Sequence, residues 1–407
     1  MGATDTSTAA EGSVGVPWRS PTLLAVLAAT LMTPMDVPLI SPALPGIQSA
    51  FGVSAPRAGL FVTLYAVPGI VVAPVIGALA DRIGRRNVLA GVLVVFGVAG
   101  TAVAFTDDFA VALGLRVLQG FAAGSVFAAL TTTVVGDRYA GRRHDSVMGV
   151  TSAMLSLGTA AYPVIGGYLA AQAWNAPFLL YAVTIPVAGV VLFALEEPES
   201  STGCGGESGE GNDGGYLREA VRLLPIRRAL VLYGVMFASF SLLFGGLYTA
   251  LPFYLASTFG LPSTAVGGVT SAVLLVTAVV STQNGRLSAA LSTRTLLAGG
   301  FAMYAVGFLG VAVTGELPAL VASLLVFGAG SGLVTPTLFA EISALAPDHV
   351  RAGVMSLQTT VIGISQAVGP AVFTFAGGVV GYQGALLGGG VGAALGVTAI
   401  GFVAIGR

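Results

Sequence analysis

Apolar runs of about 20 residues alternate with short polar breaks along almost the whole chain. A run of this length is what an α-helix needs to cross the hydrocarbon core of a bilayer. The pattern predicts six spans in the first half of the chain and six in the second. The predicted spans are Pro21–Leu44, Arg57–Ala80, Val88–Phe105, Phe109–Val135, Ser146–Ala173, Pro177–Leu195, Ala229–Phe253, Thr264–Thr282, Thr295–Val313, Leu317–Ile342, Ala352–Val379 and Gly384–Ile405.

This pattern predicts an all-α integral membrane protein with about twelve transmembrane helices in two six-helix repeats. The composition agrees, because 55% of the 407 residues are hydrophobic and only 9% are charged, whereas soluble globular domains have about 25% charged residues. The predicted domains are a cytoplasmic N-terminal tail (1–20), a six-helix bundle (21–195), a cytoplasmic linker (196–228) and a second six-helix bundle (229–407).

The linker is predicted from a change of composition between the two halves. Acidic residues mixed with serine and glycine follow Glu196, and a segment with arginines and a helical pattern covers 216–228. The first part is typical of a flexible tether, and a regulatory or partner-binding loop is the alternative. The second part is typical of an amphipathic helix that lies along the membrane surface.

The arginines indicate the orientation of the chain in the membrane. All 17 basic residues are arginine, and all but Arg57 and Arg116 fall in segments that the alternation of spans places on one side. Positively charged loops stay on the cytoplasmic side of a membrane. The sequence therefore predicts a multi-pass protein of the cell membrane with both termini in the cytoplasm.

An internal repeat appears when the chain is compared with itself at an offset of about 208 residues. The offset aligns Gly77 with Gly285, Arg86 with Arg294, Gly120 with Gly328, Gly124 with Gly332 and Arg143 with Arg351. An even number of spans separates the two copies, so both have the same orientation in the membrane. Two such halves are related by an axis along the membrane normal.

The densest group of charges lies at 77–86, GALADRIGRR, between the second and third spans. Its form, G-x-x-x-D-R-x-G-R-R, resembles the loop 2–3 signature of the major facilitator superfamily. The resemblance implies a transporter of that fold, in which this motif bonds the two halves in the outward-facing state. The implied gating residues are Gly77, Asp81, Arg82, Gly84, Arg85 and Arg86.

Arg116 lies inside the fourth predicted span, where an arginine costs at least about 2.5 kcal/mol unless it faces the protein interior. The sequence R-x-x-Q-G from Arg116 to Gly120 resembles the helix 4 motif of the same superfamily. The resemblance implies that Arg116, with Gln119, takes part in coupling ions to transport. The alternative is that Arg116 reaches water at the membrane surface, which is roughly 10 Å away along the helix.

Asp36 is the acidic residue well inside the first predicted span, in a segment with prolines at 34, 38 and 42. These prolines are expected to distort the helix and to free carbonyl groups beside a cavity. A carboxylate there can bind and release a proton as the cavity opens to each side. It resembles the helix 1 carboxylate of drug/proton antiporters, whereas a static ion pair, for example with Arg116, is the alternative.

The fifth predicted span carries Gly158, Pro163, Gly166 and Gly167, which are similar to the motif G-x-x-x-G-P-x-x-G-G of the antiporter branch. Tyr162 departs from that motif, which has glycine there. The glycines permit close helix crossing and the proline a bend, so the segment is expected to serve packing in any case.

Other polar or aromatic residues inside the spans are candidates for lining a cavity. They could instead be tyrosines at the membrane interface or partners in hydrogen bonds between helices. The candidates are Tyr65, Tyr162, Tyr248, Gln358 and Gln366.

The sequence thus predicts a secondary active transporter, with proton-coupled efflux of small amphipathic or drug-like compounds as the preferred function. Metabolite or sugar uptake by symport or facilitated diffusion is the first alternative, and a non-transporting membrane sensor is the second. We expect no enzyme activity, since no nucleophile–base or metal constellation lies in the spans. We also expect no metal, no cofactor besides the proton gradient and no nucleic-acid partner, and a monomer in the lipid bilayer with a small-molecule substrate.

Overall fold

The computed structural model describes residues 16–122, 124–195, 226–345 and 351–402, and every regular element assigned in these ranges is helical. The predicted linker lies outside the described residues, except for the segment from Ile226 onward, which already belongs to a membrane helix. Residues 216–225 of the predicted amphipathic segment lie outside the described residues, so that segment remains a prediction; Arg227 and Arg228 lie in the helix that includes Ile226.

The described helices follow the order that the apolar pattern predicts. They are α1 (Pro21–Met35 and Val37–Ala50), α2 (Ala55–Ile83), α3 (Arg85–Phe105), α4 (Phe109–Phe121 and Gly124–Arg138), α5 (Gly141–Gln172), α6 (Ala176–Ala194), α7 (Arg227–Phe259), α8 (Ser263–Ala290), α9 (Thr293–Val313) and α10 (Leu317–Ser343).

The last helical stretch, Arg351–Phe402, contains two helices rather than one. A straight helix of 52 residues would be about 78 Å long, more than twice the hydrocarbon thickness of a bilayer. Gly381 interrupts it with φ 78° and ψ 159°, a backbone conformation that favours glycine. The chain therefore turns at Gly381 between α11 (351–380) and α12 (382–402).

The lengths and apolar character of the helices agree with a membrane protein. In the described ranges, eight helical stretches are long and apolar enough to cross a membrane, and the bent α1 makes a ninth. One of the eight contains both α11 and α12. Together with α2 and the interrupted α4, the arrangement is consistent with twelve spans, although the number twelve itself remains a prediction.

Several helices extend beyond the predicted apolar limits into polar sequence. For example, α5 begins at Gly141 rather than at Ser146, and α8 continues to Ala290 rather than ending at Thr282. His144, which precedes the predicted start of the fifth span at Ser146, lies in the first turn of α5. Hydropathy marks the part of a helix inside the lipid, whereas the helix itself continues into water.

The contacts between helices repeat with the offset seen in the sequence. A Cβ atom added to Gly120 on α4 would collide with the carbonyl oxygen of Tyr65 on α2. A Cβ added to Gly328 on α10 would meet the carbonyl oxygen of Val273 on α8, and both residues are displaced by the same 208 positions. The two halves therefore use the same close helix crossing, which confirms the repeat.

The described turns at 83–85, 138–141 and 290–293 lie on an arginine-rich face. The described turns at 51–54, 106–108, 173–175, 260–262, 314–316 and 381 lie on the opposite, arginine-poor face. On the arginine-poor side α2 packs against α11 and α5 against α8, across the two halves. We call these contacts the arginine-poor interface. It is defined by Gly59 with Thr374, Pro56 with Gly378, and Gly167 with Gly267.

Candidate functional site

Asp36 lies where the first helix breaks. Thr33–Met35 and Ser41–Ala43 are 3-10 turns, and the two parts of α1 meet at an angle of 50°. The prolines in this segment remove backbone donors, so the continuous α-helical ladder cannot form. The predicted distortion is confirmed, and it leaves carbonyl groups of this segment free to accept other partners.

The carboxylate of Asp36 contacts the other half of the molecule. Its Oδ2 accepts a hydrogen bond from Nε2 of Gln366 on α11, at 3.1 Å. Gln366 was one of the cavity candidates, and its amide is the side-chain donor to the Asp36 carboxylate.

Arg116 is completely buried, with 0% exposure. Its Nε donates to the carbonyl of Phe61 on α2 at 3.0 Å, and Nη1 donates to Oε1 of Gln119 at 2.5 Å. The guanidinium also lies over the ring of Tyr65, 4.5 Å from its centroid. The prediction that Arg116 faces the protein interior is confirmed, and the alternative of a side chain reaching water is wrong.

Gln119 is held in place by the third helix. Its Nε2 donates to the carbonyl of Phe96 on α3 at 3.4 Å, and Gly100 leaves the room for its amide, since a Cβ there would collide with it. The pair predicted from the spacing R-x-x-Q is therefore a contact in the structure, although its role in ion coupling remains a prediction.

Tyr181 on α6 belongs to the same site, and the sequence analysis missed it. Its hydroxyl donates to the carbonyl of Met35 at 2.8 Å and lies 3.3 Å from that of Asp36. It interacts electrostatically with both Asp36 and Arg116. A tyrosine inside the sixth apolar run was the available signal, but nothing in the run indicates that it faces the break in α1.

Asp36 and Arg116 attract each other electrostatically, but neither makes a direct ion pair within the described part of the chain. Arg116 keeps one further donor, Nη2, buried and without a hydrogen-bond partner. A carboxylate and a guanidinium thus occupy one site inside the helix bundle, and Tyr181 interacts with both of them. Such groups inside a membrane protein are a functional-site hypothesis by default.

The seventh helix is irregular at the position that corresponds to the break in α1. Leu242–Ala250 form a π-helical segment, which is displaced by about 208 residues from 34–42. Ser41 donates to the carbonyl of Tyr248 at 2.6 Å and joins the two irregular segments. π-Helical segments are rare and frequently occur at functional sites. Tyr248, a cavity candidate, is thus buried where the two halves meet.

The motif of the fifth helix packs α5 against two different neighbours. Cβ atoms added to Gly158 and Gly166 would collide with α1, at Pro34 and at the carbonyl of Leu39. Gly167 faces the other half, where its Cβ would collide with the carbonyl of Ser263 on α8. The Pro163 carbonyl is in similarly close contact with Gly267.

Two further cavity candidates, Tyr162 and Tyr65, make their contacts within the first half. The hydroxyl of Tyr162 donates to the carbonyl of Leu31 at 2.9 Å, which ties α5 to α1. Tyr65 is 1% exposed beneath Arg116, and Gln358 on α11 is 4% exposed with its Oε1 lacking a partner.

The gating motif forms the turn between α2 and α3. Gly84 is the single residue between the helices, and its φ of 93° explains why glycine is needed there. Arg85 forms an ion pair with Asp137 at the end of α4, a partner that the sequence did not predict. Arg82 is exposed, and Nε of Arg86 is buried without a partner.

The surroundings of Gly77 and the side chain of Asp81 lie outside the described parts, so the predicted contact between the halves through Asp81 remains a prediction. In the second half, Glu341 at the end of α10 accepts from Arg228 at 2.6 Å and from Thr293 at 2.7 Å. These bonds join α7, α9 and α10 at the arginine-rich face.

Two cavities of the second half are separate from this site. One, of about 570 Å³, lies at the arginine-poor end between Tyr254, Ser257 and Tyr382. The other, of about 440 Å³, is apolar and is lined by Ser241, Phe373 and several glycines of α12.

Comparison with known proteins identifies relatives along the whole chain. Tetracycline resistance protein, class D, of Salmonella ordonez is 26% identical over 357 residues, which are 86% of this chain and 88% of that protein. The class B protein of Escherichia coli is 24% identical over 352 residues, 85% and 86% of the two chains. Quinolone resistance protein NorA of Staphylococcus aureus is 27% identical over 218 residues, 53% and 55%.

Solved transporter structures share the fold. The nucleoside transporter NupG superposes with a TM-score of 0.77 at 11% identity, over 94% of this chain and all of that one. A D-xylose–proton symporter gives 0.76 at 15% identity, over 93% and 96%. The family model of the Major Facilitator Superfamily matches residues 26–269 and 230–406. With the predicted motifs, the repeat and the fold in agreement, the chain belongs to the major facilitator superfamily and is a multi-pass membrane transporter.

Proposed function

We propose that this transporter exports small amphipathic, drug-like compounds from the cell in exchange for protons. The arginine-rich face, with both chain termini, is on the cytoplasmic side of the cell membrane. The proton gradient supplies the energy, and the proposal includes no catalytic step, metal or bound cofactor.

The position of Asp36 is the observation that carries this proposal. Its carboxylate lies at a break in α1, contacts α11 of the other half, and has the buried Arg116 close by. An ionisable group where the two halves meet can bind a proton or a cationic compound and be exposed to each side in turn.

Two further observations support a drug-like cargo. The side chains around the two irregular helix segments are largely apolar or aromatic, including Tyr248 with Phe244 and Tyr181 with Phe96. Such a lining suits hydrophobic compounds of varied shape. The relatives that cover most of the chain are tetracycline resistance proteins.

In the proposed cycle, the two halves rock about the site and open it to one side at a time. The ionised Asp36 binds cationic cargo from the cytoplasm, and a proton from outside displaces that cargo after the site has opened outward. Arg116, Gln119 and Tyr181 hold the polar surroundings of Asp36 fixed, and the gating motif at 77–86 controls the cytoplasmic side. The protein works as a monomer in the lipid bilayer.

The test uses inverted vesicles with an imposed pH gradient, to which lipophilic cations such as ethidium and tetraphenylphosphonium are added. We expect the wild type to release protons from the vesicle interior when a cation is added. Asp36→Asn cannot ionise and should abolish this signal. Asp107→Asn, which changes an exposed carboxylate, is the matched control and should behave like the wild type.

Other outcomes would contradict the proposal. Proton movement together with the solute in the same direction would indicate symport of a metabolite. Solute flux without proton movement, unchanged by Asp36→Asn, would indicate facilitated diffusion. Absence of any flux in vesicles with correctly folded protein would favour a non-transporting sensor.

A further inference from the structure

One hydrogen bond links the proposed coupling residue to the opposite half of the molecule. Nε2 of Gln366 on α11 is 3.1 Å from Oδ2 of Asp36 on α1, and both groups are partly buried. The two residues are 330 positions apart in the chain. The bond exists only while α1 and α11 are close, so movement of the halves apart must break it.

The charged and titratable groups that face Asp36 come from three other helices. They are Arg116 on α4, Tyr181 on α6 and Tyr248 on α7. Two of them move with Asp36, because α1, α4 and α6 belong to the same half. Gln366 is the side-chain donor that the second half supplies to this carboxylate in the described residues.

A hydrogen bond to an ionised carboxylate is about twice as strong as one between neutral groups. The Gln366 amide therefore stabilises ionised Asp36 more than protonated Asp36, and it does so in the state whose arginine-poor interface is closed. We propose that Gln366 is a positioning residue that makes Asp36 release its proton when the arginine-poor interface closes. By reciprocity, binding of a proton to Asp36 favours opening of that interface.

This inference rests on the proposed function and explains on which side of the membrane Asp36 releases its proton and on which side it binds one. In alternating access the site opens to one side at a time, so closure of the arginine-poor interface belongs to the state that opens to the cytoplasm, and the Gln366 bond favours proton release there. The ionised carboxylate is then ready for cationic cargo. After the interface opens, the bond is absent, and Asp36 takes up a proton more readily from outside.

A cysteine at position 374 reports the state of this interface without any cargo. Thr374 is 1% exposed and packs directly on Gly59 of the other half. The variant Thr374→Cys, with the single native cysteine removed by Cys204→Ser, can react with a membrane-impermeant maleimide only when the interface opens. Gly315→Cys, at an open site on the arginine-poor face, corrects for the pH dependence of the reagent.

We expect labelling of Thr374→Cys to rise as the pH falls, because protonation of Asp36 weakens the closing bond. Adding Gln366→Leu should raise labelling about tenfold or more at high pH, where the carboxylate is ionised, and change it little at low pH. Gln366→Asn retains an amide donor and should restore part of the pH dependence. In an Asp36→Asn background, Gln366→Leu should have no pH-dependent effect.

The inference would be overturned if Gln366→Leu left labelling unchanged, or raised it equally at both pH values. The second result would mean that Gln366 only fills space. If Asp36→Asn leaves the pH dependence of labelling intact, the proposed role of Asp36 fails together with the inference. If Asp36→Asn abolishes it and Gln366→Leu has no effect, the inference about Gln366 fails alone.

Discussion

At the scale of single residues, the structure explains how an arginine is tolerated inside the membrane. The backbone carbonyl of Phe61 and the amide of Gln119 accept hydrogen bonds from Arg116, and the face of the Tyr65 ring covers the guanidinium. Such partners offset the cost of removing a charge from water. The planar guanidinium group, whose N–H donors point in fixed directions, is needed to reach the Phe61 and Gln119 acceptors at the same time.

Replacement of Arg116 by lysine should therefore be harmful although it keeps the charge. One ammonium group cannot reproduce the bonds to Phe61 and Gln119 and the stacking on Tyr65. We expect the free energy of unfolding of Arg116→Lys to fall by about 2 kcal/mol or more, with loss of transport, measured by thermal unfolding in detergent and by vesicle flux. Arg57→Lys, at an exposed arginine, should leave both unchanged.

A stable and active Arg116→Lys variant would show that a point charge is sufficient at this position. In that case the hydrogen-bond geometry described for the guanidinium would have no functional consequence.

At the scale of helices, irregular segments and close crossings determine the site together. The break in α1 is encoded locally, because prolines remove donors wherever they stand. The π-helical segment of α7 is different, since Leu242–Ala250 contain no proline. Its backbone is instead crowded by neighbours: Cβ atoms at Gly245 and Gly246 would collide with Gly369 and Phe308. The π-helical segment is therefore closely packed against neighbouring helices, and no local sequence pattern indicates that a π-helical segment forms there.

The crossing of α1 and α5 gives a prediction at the same scale. The alanine in Gly166→Ala would collide with the carbonyl of Leu39, next to the break that carries Asp36. Overpacking of this kind costs about 1–3 kcal/mol, and we expect a lower midpoint of thermal unfolding. Gly149→Ala in the same helix meets nothing within 4 Å and should be neutral or slightly stabilising, because alanine favours helices.

An equal effect of Gly149→Ala and Gly166→Ala on the midpoint would contradict this prediction. It would mean that helix propensity, and not the contact with α1, determines the outcome.

At the scale of the whole molecule, glycines set how closely the two halves meet. Gly167 and Gly267 bring α5 and α8 into backbone contact on the arginine-poor side, and Gly59 on α2 makes room for the side chain of Thr374 on α11. Helices in a bilayer associate through such close packing. Lipid chains are as apolar as the helix surfaces, so the hydrophobic effect does not drive the helices together. A side chain at these positions should separate the halves without unfolding either one.

We therefore expect Gly267→Ala to open the arginine-poor interface. Its Cβ would collide with the Pro163 carbonyl, so maleimide labelling of Thr374→Cys should increase severalfold at all pH values. Gly268→Ala, one position further along α8, meets nothing within 4 Å and is the matched control. Unchanged labelling of Gly267→Ala would show that the neighbouring helices adjust without opening.

The sequence by itself determined the class of the protein, the repeat and three members of the site. Hydropathy reports the transfer of each segment into lipid, which is a local property. A charge inside an apolar run is equally visible, so Asp36, Arg116 and the neighbouring Gln119 could be recognised without a structure. Glycine at position 84 was predictable as part of a short turn.

Only the tertiary structure decided which helices bring partners to these residues. Gln366 and Tyr181 meet the Asp36 segment from positions distant in sequence, and Arg85 pairs with Asp137 on another helix. The physical reason is that these contacts depend on the rotation and crossing angle of each helix. Lipid is as apolar as a leucine side chain, so an almost uniformly apolar run does not reveal which face turns inward.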